Sequence, residues 1–238
     1  MLLVGDDWKL ATQNLKVDYR GVGKMKDMGK FALAGLIVMS VLSFTNFFGT
    51  RIAGVAVIVG VIFFFLHKRR EGETSSNSGL DIKAIGHDLK QKGIWFWIIL
   101  PVIMNALSIG IALIFLPDYL EHVVSRTEAF LSWNLLFLLI LQLAFFALGE
   151  EIAWRAFFQK QLGKMMPIIP AVLLTSLLFS FGHIVFASPF VVVYDIFFVF
   201  INSVLYGIVF YRTDNAWISA IAHFLANFSS VVFFLWIY

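Results

Sequence analysis

Long apolar runs separated by short polar stretches set the limits on what this chain can fold into. Ile94 to Leu116 carries no charged residue, and most other runs carry one charge or none. Stretches of eighteen or more apolar residues with so few charges read as membrane-crossing helices. Strands of a transmembrane barrel would alternate apolar and polar residues and would be about half as long. The composition agrees: 60% of residues are hydrophobic, 27 are Phe, and only 14% are charged. The fold class expected is therefore all-α, a polytopic transmembrane helical bundle of about seven spans.

In chain order the spans are expected at 31–48, 52–66, 94–116, 133–162, 168–186, 190–211 and 217–238. Residues 1–30 form a charged leading segment without the early apolar core of a cleavable signal. The loop 67–93 opens with HKRREGETSSNSG and ends in an amphipathic piece, Asp81 to Lys92, suited to a membrane surface. Pro101 is expected to kink the third span, and Pro117 to Ser132 reads as a polar connector. The Gly163 and Pro167 breakers end the fourth span.

Fifteen of the eighteen Lys and Arg fall in 1–30, 67–93, 160–167 and 211–216. Arg51 and Arg126 lie in the opposite loops, and Arg155 is intramembrane. By the positive-inside bias the N-terminus is cytoplasmic and the protein is a multi-pass protein of the cell membrane. The net charge of +3 thus belongs to loops at one membrane face, and no nucleic-acid partner is expected. With no Cys in the chain, disulfides, thiolate metal ligands and a cysteine nucleophile are excluded.

Three polar patterns interrupt the apolar spans. In LGEEIAWRAFFQ, Glu151 and Arg155 stand four apart, within pairing reach on a helix. Glu150 points about 100° away from Glu151, so it is not fully committed to that pair. Phe179 and His183 in FSFGH, and His223 with Asn227 in HFLAN, are likewise four apart. Measured from the inner helix ends at a rise of about 1.5 Å per residue, Glu150 lies at about 18 Å, His183 at about 22 Å and Asn227 at about 15 Å. His223 comes out near 9 Å. A lone Glu-Arg pair also serves packing or gating, and a lone transmembrane His or Asn is usually an ordinary polar contact. Joint occurrence on consecutive spans at similar depth instead favours a shared cavity, expected to open inward. Asp195, about 24 Å deep, would either orient His183 or line that cavity, with the second preferred. Asn105, Asn202, Ser203 and Thr175 read as interhelical contacts.

The ordered set E-E-x-x-x-R, F-x-x-x-H and H-x-x-x-N resembles the CPBP family, which comprises type II CAAX prenyl endopeptidases and bacterial bacteriocin-processing or self-immunity (Abi) proteins. The likeness covers 133–238; residues 31–132 would then be three accessory helices, with 67–93 a cytoplasmic loop. Ala156 departs from the Gly frequent after the Arg. The resemblance implies a glutamate-dependent intramembrane endopeptidase with a cytoplasm-facing cavity. Glu150 would be the general base, and His183 would hold the water. Glu151 and Arg155 would be the supporting pair, with His223 and Asn227 stabilising the oxyanion and Phe179 shaping the wall. A zinc-dependent version would use Glu150, His183 and His223 as ligands, but HExxH spacing is absent and the metal-free form is favoured.

Expected partners are the lipid bilayer and a peptide or membrane-protein substrate cut near the cytoplasmic face. The alternative from a different class is a non-catalytic immunity or regulatory protein that binds a membrane partner. Transport is disfavoured, because the two halves show no inverted repeat or broken-helix pair.

Overall fold

The computed structural model describes residues 29–50, 52–127 and 135–237, and every regular element among them is a helix. The expected leading segment 1–28, together with Arg51, 128–134 and Tyr238, lies outside the described residues. In chain order the main helices are α1 (Lys30–Ser43), α2 (Val55–Glu71), α3 (Ile94–Phe115), α4 (Pro117–Thr127), α5 (Leu136–Leu162), α6 (Ile168–Phe181), α7 (Pro189–Thr213) and α8 (Ala216–Ile237). Five stretches are long and apolar enough to cross a membrane: Lys30–Phe48, Ile94–Phe115, Leu136–Leu162, Pro189–Thr213 and Ala216–Trp236. Of the seven segments expected, the two others form shorter helices, α2 and α6. Phe137, Phe145, Phe190 and Phe115 project outward with large exposed rings, as lipid-facing side chains do.

Two expectations change. The stretch after Pro117 is not a connector but a helix, α4, with Pro at its first position where no backbone donor is lost. Tyr119 and Leu120 on α4 are buried against Val191 and Phe234, with Val123 packed beside them, which anchors an otherwise polar sequence. The fifth segment stops at Phe181 instead of Phe186. Asn46, in the turn after α1, donates to the carbonyl oxygens of Gly182 (2.9 Å) and Ile184 (3.2 Å), fixing the chain where the helix ladder ends.

Inside α5 the backbone widens. Ile152 to Gln159 form a π-helix directly after the two carboxylates, and all eight of its side chains are buried. Such wide turns are rare and concentrate at functional sites. The segment is gripped from two sides. On one, Gly60 of α2 meets Ala153 so closely that an added Cβ would stand 2.6 Å from the Ala153 Cβ. On the other, Gln159 donates to the Gly207 carbonyl at 3.0 Å, and a Cβ at Gly207 would come 2.8 Å from the Gln159 Oε1. In lipid, where apolar burial gives no drive between helices, such close small-residue approaches carry the packing.

Two ends of the bundle are recognisable from their own bonds. At one, Lys160 Nζ binds Asp214 (2.8 Å) and the Asn77 carbonyl (2.9 Å), and Asn215 Nδ2 binds Asp88 (2.8 Å). This end holds Lys68, Arg69, Arg70, Lys83, Lys160, Lys164 and Arg212. At the other, the 44–50 turn meets the 182–188 turn, and α4 lies over the start of α7, where the Tyr119 and Tyr194 rings are 4.8 Å apart.

Candidate active site

Glu151 and Arg155 are both fully buried (0% exposed), and Arg155 Nε lies 3.2 Å from Glu151 Oε2. The ion pair expected from the i, i+4 spacing therefore persists although Arg155 sits in the widened part of the helix. Arg155 Nη2 also donates to Ser203 Oγ on α7 at 3.0 Å, and its guanidinium stands 5.3 Å over the Phe179 ring. Buried charges are tolerated when paired and hydrogen-bonded in this way.

The second carboxylate oxygen of Glu151 is 3.0 Å from His223 Nδ1. An ionised carboxylate only accepts, so Nδ1 carries a hydrogen and donates. That fixes the ring so that His223 Nε2 faces Glu150 Oε2 at 3.6 Å. Arg155, Glu151, His223 and Glu150 form one chain of ionisable side chains. Glu150 retains 21% of its side-chain exposure, the most open member of the chain.

His183 follows the end of α6, held by its backbone N–H to the Ser180 carbonyl at 2.9 Å. Its Nδ1 is 2.9 Å from the Phe179 carbonyl oxygen, which can only accept, so Nδ1 donates and Nε2 of the neutral ring is left as an acceptor. The Phe179 ring lies 4.4 Å from His183, tilted by 37°, and meets His223 edge-on at 6.2 Å, so one aromatic ring spaces the two imidazoles. Asn227, one turn beyond His223 on α8, is half-buried in the same wall.

Glu150, Phe179, His183, His223 and Asn227 all line one cavity of about 360 Å³. Asp195 lines it too, and its Oδ2 faces His122 Nε2 of α4 at 3.6 Å; the side chain thus stands at the cavity wall, with an imidazole of α4 beside it. Asn105 donates to the Ala226 carbonyl (2.9 Å) and Ser230 Oγ (3.0 Å) and accepts from Asn202, tying α3, α7 and α8 together. Ser203, also expected between helices, joins α7 to α5 through Arg155. Thr175, expected in the same role, gives its hydroxyl to the Ala171 carbonyl within α6.

Three residues with site roles were not singled out from the sequence. Tyr206 stacks on His223 at 4.4 Å with rings 15° apart. Asn46 holds the turn that carries His183, and His122 faces Asp195. The zinc set is not assembled: among the described residues no three His, Asp or Glu side chains are placed to hold one ion. His223 Nδ1 is turned to Glu151 and His183 Nδ1 to a carbonyl.

Between the carboxylates and the basic end, Phe158, Gln159, Val209, Phe210, Ile218 and Ser219 are all buried, and none lines the cavity. The cavity extends the other way, past Asn202 and Ser108 to Tyr119, Asp195 and Phe234.

Residues 132–229, the segment that carries all three motifs, match the family model described as Type II CAAX prenyl endopeptidase Rce1-like. No curated protein and no solved structure matches the chain.

Proposed function

We propose, from the premise that residues 132–229 are a segment of the type II CAAX prenyl endopeptidase (CPBP) family, that this multi-pass membrane protein is a glutamate-dependent endopeptidase cutting a membrane-associated peptide or protein. The observation that supports this most is the chain Arg155–Glu151–His223–Glu150, whose last carboxylate reaches the cavity shared with His183 and Asn227. The family match supports a CAAX-protease type of function in general; the glutamate mechanism is our reading of the geometry.

In this reading Glu150 takes a proton from a water held between it and the acceptor nitrogen of His183. The resulting hydroxide forms a C–O bond to the scissile carbonyl carbon. The oxyanion is met by the Asn227 amide and by His223 when its Nε2 carries a hydrogen. Collapse breaks the C–N bond as the proton on Glu150 passes to the leaving nitrogen, giving a carboxylic acid and an amine, between which the remaining proton then passes to leave a carboxylate and an ammonium. Arg155 cancels the charge of Glu151, so His223 is oriented without adding net charge at the site. Exclusion of bulk water strengthens each of these interactions.

The test uses the full chain purified into proteoliposomes, with a prenylated CAAX-type peptide and an unprenylated transmembrane peptide as probes. Glu150→Gln is expected to lower cleavage by about a hundredfold or more, with unchanged thermal unfolding. Wild-type turnover of both probes by the folded variant removes Glu150 from the mechanism. Absence of cleavage by the wild-type protein, together with a cellular phenotype that survives Glu150→Gln, shifts the reading to a non-catalytic binding protein.

A further inference from the structure

We infer that Tyr206 is a positioning residue of the site: the flat face of its ring fixes the plane of the His223 imidazole and so the aim of Nε2. Its part in catalysis rests on the peptidase reading above, while its hold on the imidazole rests on the packing alone.

The need for such a hold follows from the imidazole itself. The torsion that turns a histidine ring about Cβ–Cγ is broad and not divided into narrow wells. The bond from His223 Nδ1 to Glu151, at 3.0 Å, fixes one ring atom. A hydrogen bond bends by some tens of degrees before it weakens steeply, so one bond leaves the plane of the ring loosely set.

Tyr206 removes that freedom. Its ring centroid lies 4.4 Å from that of His223, and the two planes are 15° apart. Stacked pairs of this kind prefer particular geometries, beyond the area that they bury. Phe179 meets the same imidazole at 6.2 Å with the planes 74° apart. Three residues therefore hold His223, and Nε2 is the nitrogen left to face Glu150 Oε2 at 3.6 Å.

A stack holds its partner only if it is itself held, and the bonds around Tyr206 on α7 do this. Ser203, three residues before it, accepts from Arg155 Nη2 at 3.0 Å. Gly207, the next residue, accepts from Gln159 Nε2 at 3.0 Å, and a Cβ there would stand 2.8 Å from the Gln159 Oε1. Asn202 donates to Asn105 of α3. Arg155 and Gln159 both belong to the π-helix that follows the carboxylates. Tyr206, 3% exposed, thus links His223 on α8 to the helix that carries Glu150 and Glu151. The link needs a flat face and not the hydroxyl: Phe keeps the face, whereas Leu and Met fill the space without one.

The test compares Tyr206→Phe, Tyr206→Leu and Tyr206→Met in the full chain, purified into proteoliposomes. Cleavage of the prenylated CAAX-type peptide and of the unprenylated transmembrane peptide is measured beside thermal unfolding. The ring nitrogens of His223 are followed by NMR after isotopic labelling of histidine, with His223→Gln identifying its signals among the five histidines. Tyr206→Phe is expected to keep kcat and KM within about twofold of the wild type, with the His223 signals unmoved. The Leu and Met variants are expected to lose about tenfold or more in kcat at unchanged KM, because a misaimed Nε2 harms the transition state and not binding. Their His223 signals are expected to shift or broaden. Wild-type kcat or wild-type ring signals in the folded Leu and Met variants overturn the inference. A loss in Tyr206→Phe as large as that in Tyr206→Leu overturns it as well, since the hydroxyl is then the group required. Failure of both Leu and Met variants to fold makes Tyr206 a packing residue and has the same consequence. If the wild-type protein cleaves neither peptide while the His223 signals move in Tyr206→Leu, the peptidase reading falls and the hold of Tyr206 on the imidazole stands.

Discussion

Replacing Glu151 with Gln tests whether the buried ion pair and the imidazole form one unit. The side chain is fully buried between Arg155 at 3.2 Å and His223 at 3.0 Å. Gln keeps the shape and removes the charge, which leaves a guanidinium at zero exposure with Ser203 Oγ as a neutral partner. Breaking a buried pair from one side costs about 3–5 kcal/mol, and Arg155→Met, which strands the carboxylate instead, is expected to cost a similar amount. The double variant Glu151→Gln/Arg155→Met removes both charges and is expected to recover at least half of the summed loss, because distant, independent sites would add and coupled ones do not. Activity behaves differently. His223 is left with a neutral amide oxygen in place of the carboxylate that accepts from its Nδ1, so the double variant stays about a hundredfold down in kcat, within the range for weakening an orienting partner of an acid-base group. Thermal unfolding in detergent and cleavage of the probe peptide are measured on all four proteins. Additive destabilisation in the double variant, or return of its kcat to the wild-type value, refutes the coupling.

Further outcomes follow from single contacts. Asn46→Leu leaves the carbonyls of Gly182 and Ile184 without their amide donor, a cost of about 1–3 kcal/mol for a buried group; kcat is expected to fall more than stability, and unchanged turnover means that this bond does not position His183. His67, just past the apolar part of α2, is held below the usual imidazole range first by burial and then by Lys164. The unfolded chain then binds the proton more readily than the folded one, so stability falls as pH drops below about 6.5. His67→Phe is expected to flatten that acid limb of the unfolding profile, and an identical limb in the variant removes His67 as its source. Treatment with 1,10-phenanthroline is expected to leave cleavage unchanged, and loss of activity restored by added zinc overturns the metal-free mechanism.

Much of this site is legible in the sequence, because its residues violate their surroundings. Glu150, Glu151 and Arg155 are charges in an apolar run, and His183, His223 and Asn227 are polar groups at four-residue spacing within spans. The residues that are not legible obey local expectations. Tyr206 is an ordinary aromatic in an aromatic-rich helix, and only the approach of α8 makes it the floor beneath His223. Asn46 reads as the polar end of a span, since its partners lie well over a hundred residues away. The π-helix depends on how eight side chains pack on α2, α6 and α7, which no periodicity in IAWRAFFQ encodes. The direction of the cavity is hidden for the same reason. Depth along a helix is countable, but which side of the carboxylates is filled with Phe158, Gln159 and Val209 is not.

The wide winding of residues 152–159 makes the aim of the acidic pair a property of the main chain. Closing that stretch into an ordinary helix with all its residues kept would turn the carboxylates relative to the segment after Gln159 by about 100°. Every polar group would survive, and the pair would point at a different neighbour. Loss of function in this molecule therefore needs no loss of any reactive side chain: a change of helical pitch below the carboxylates suffices.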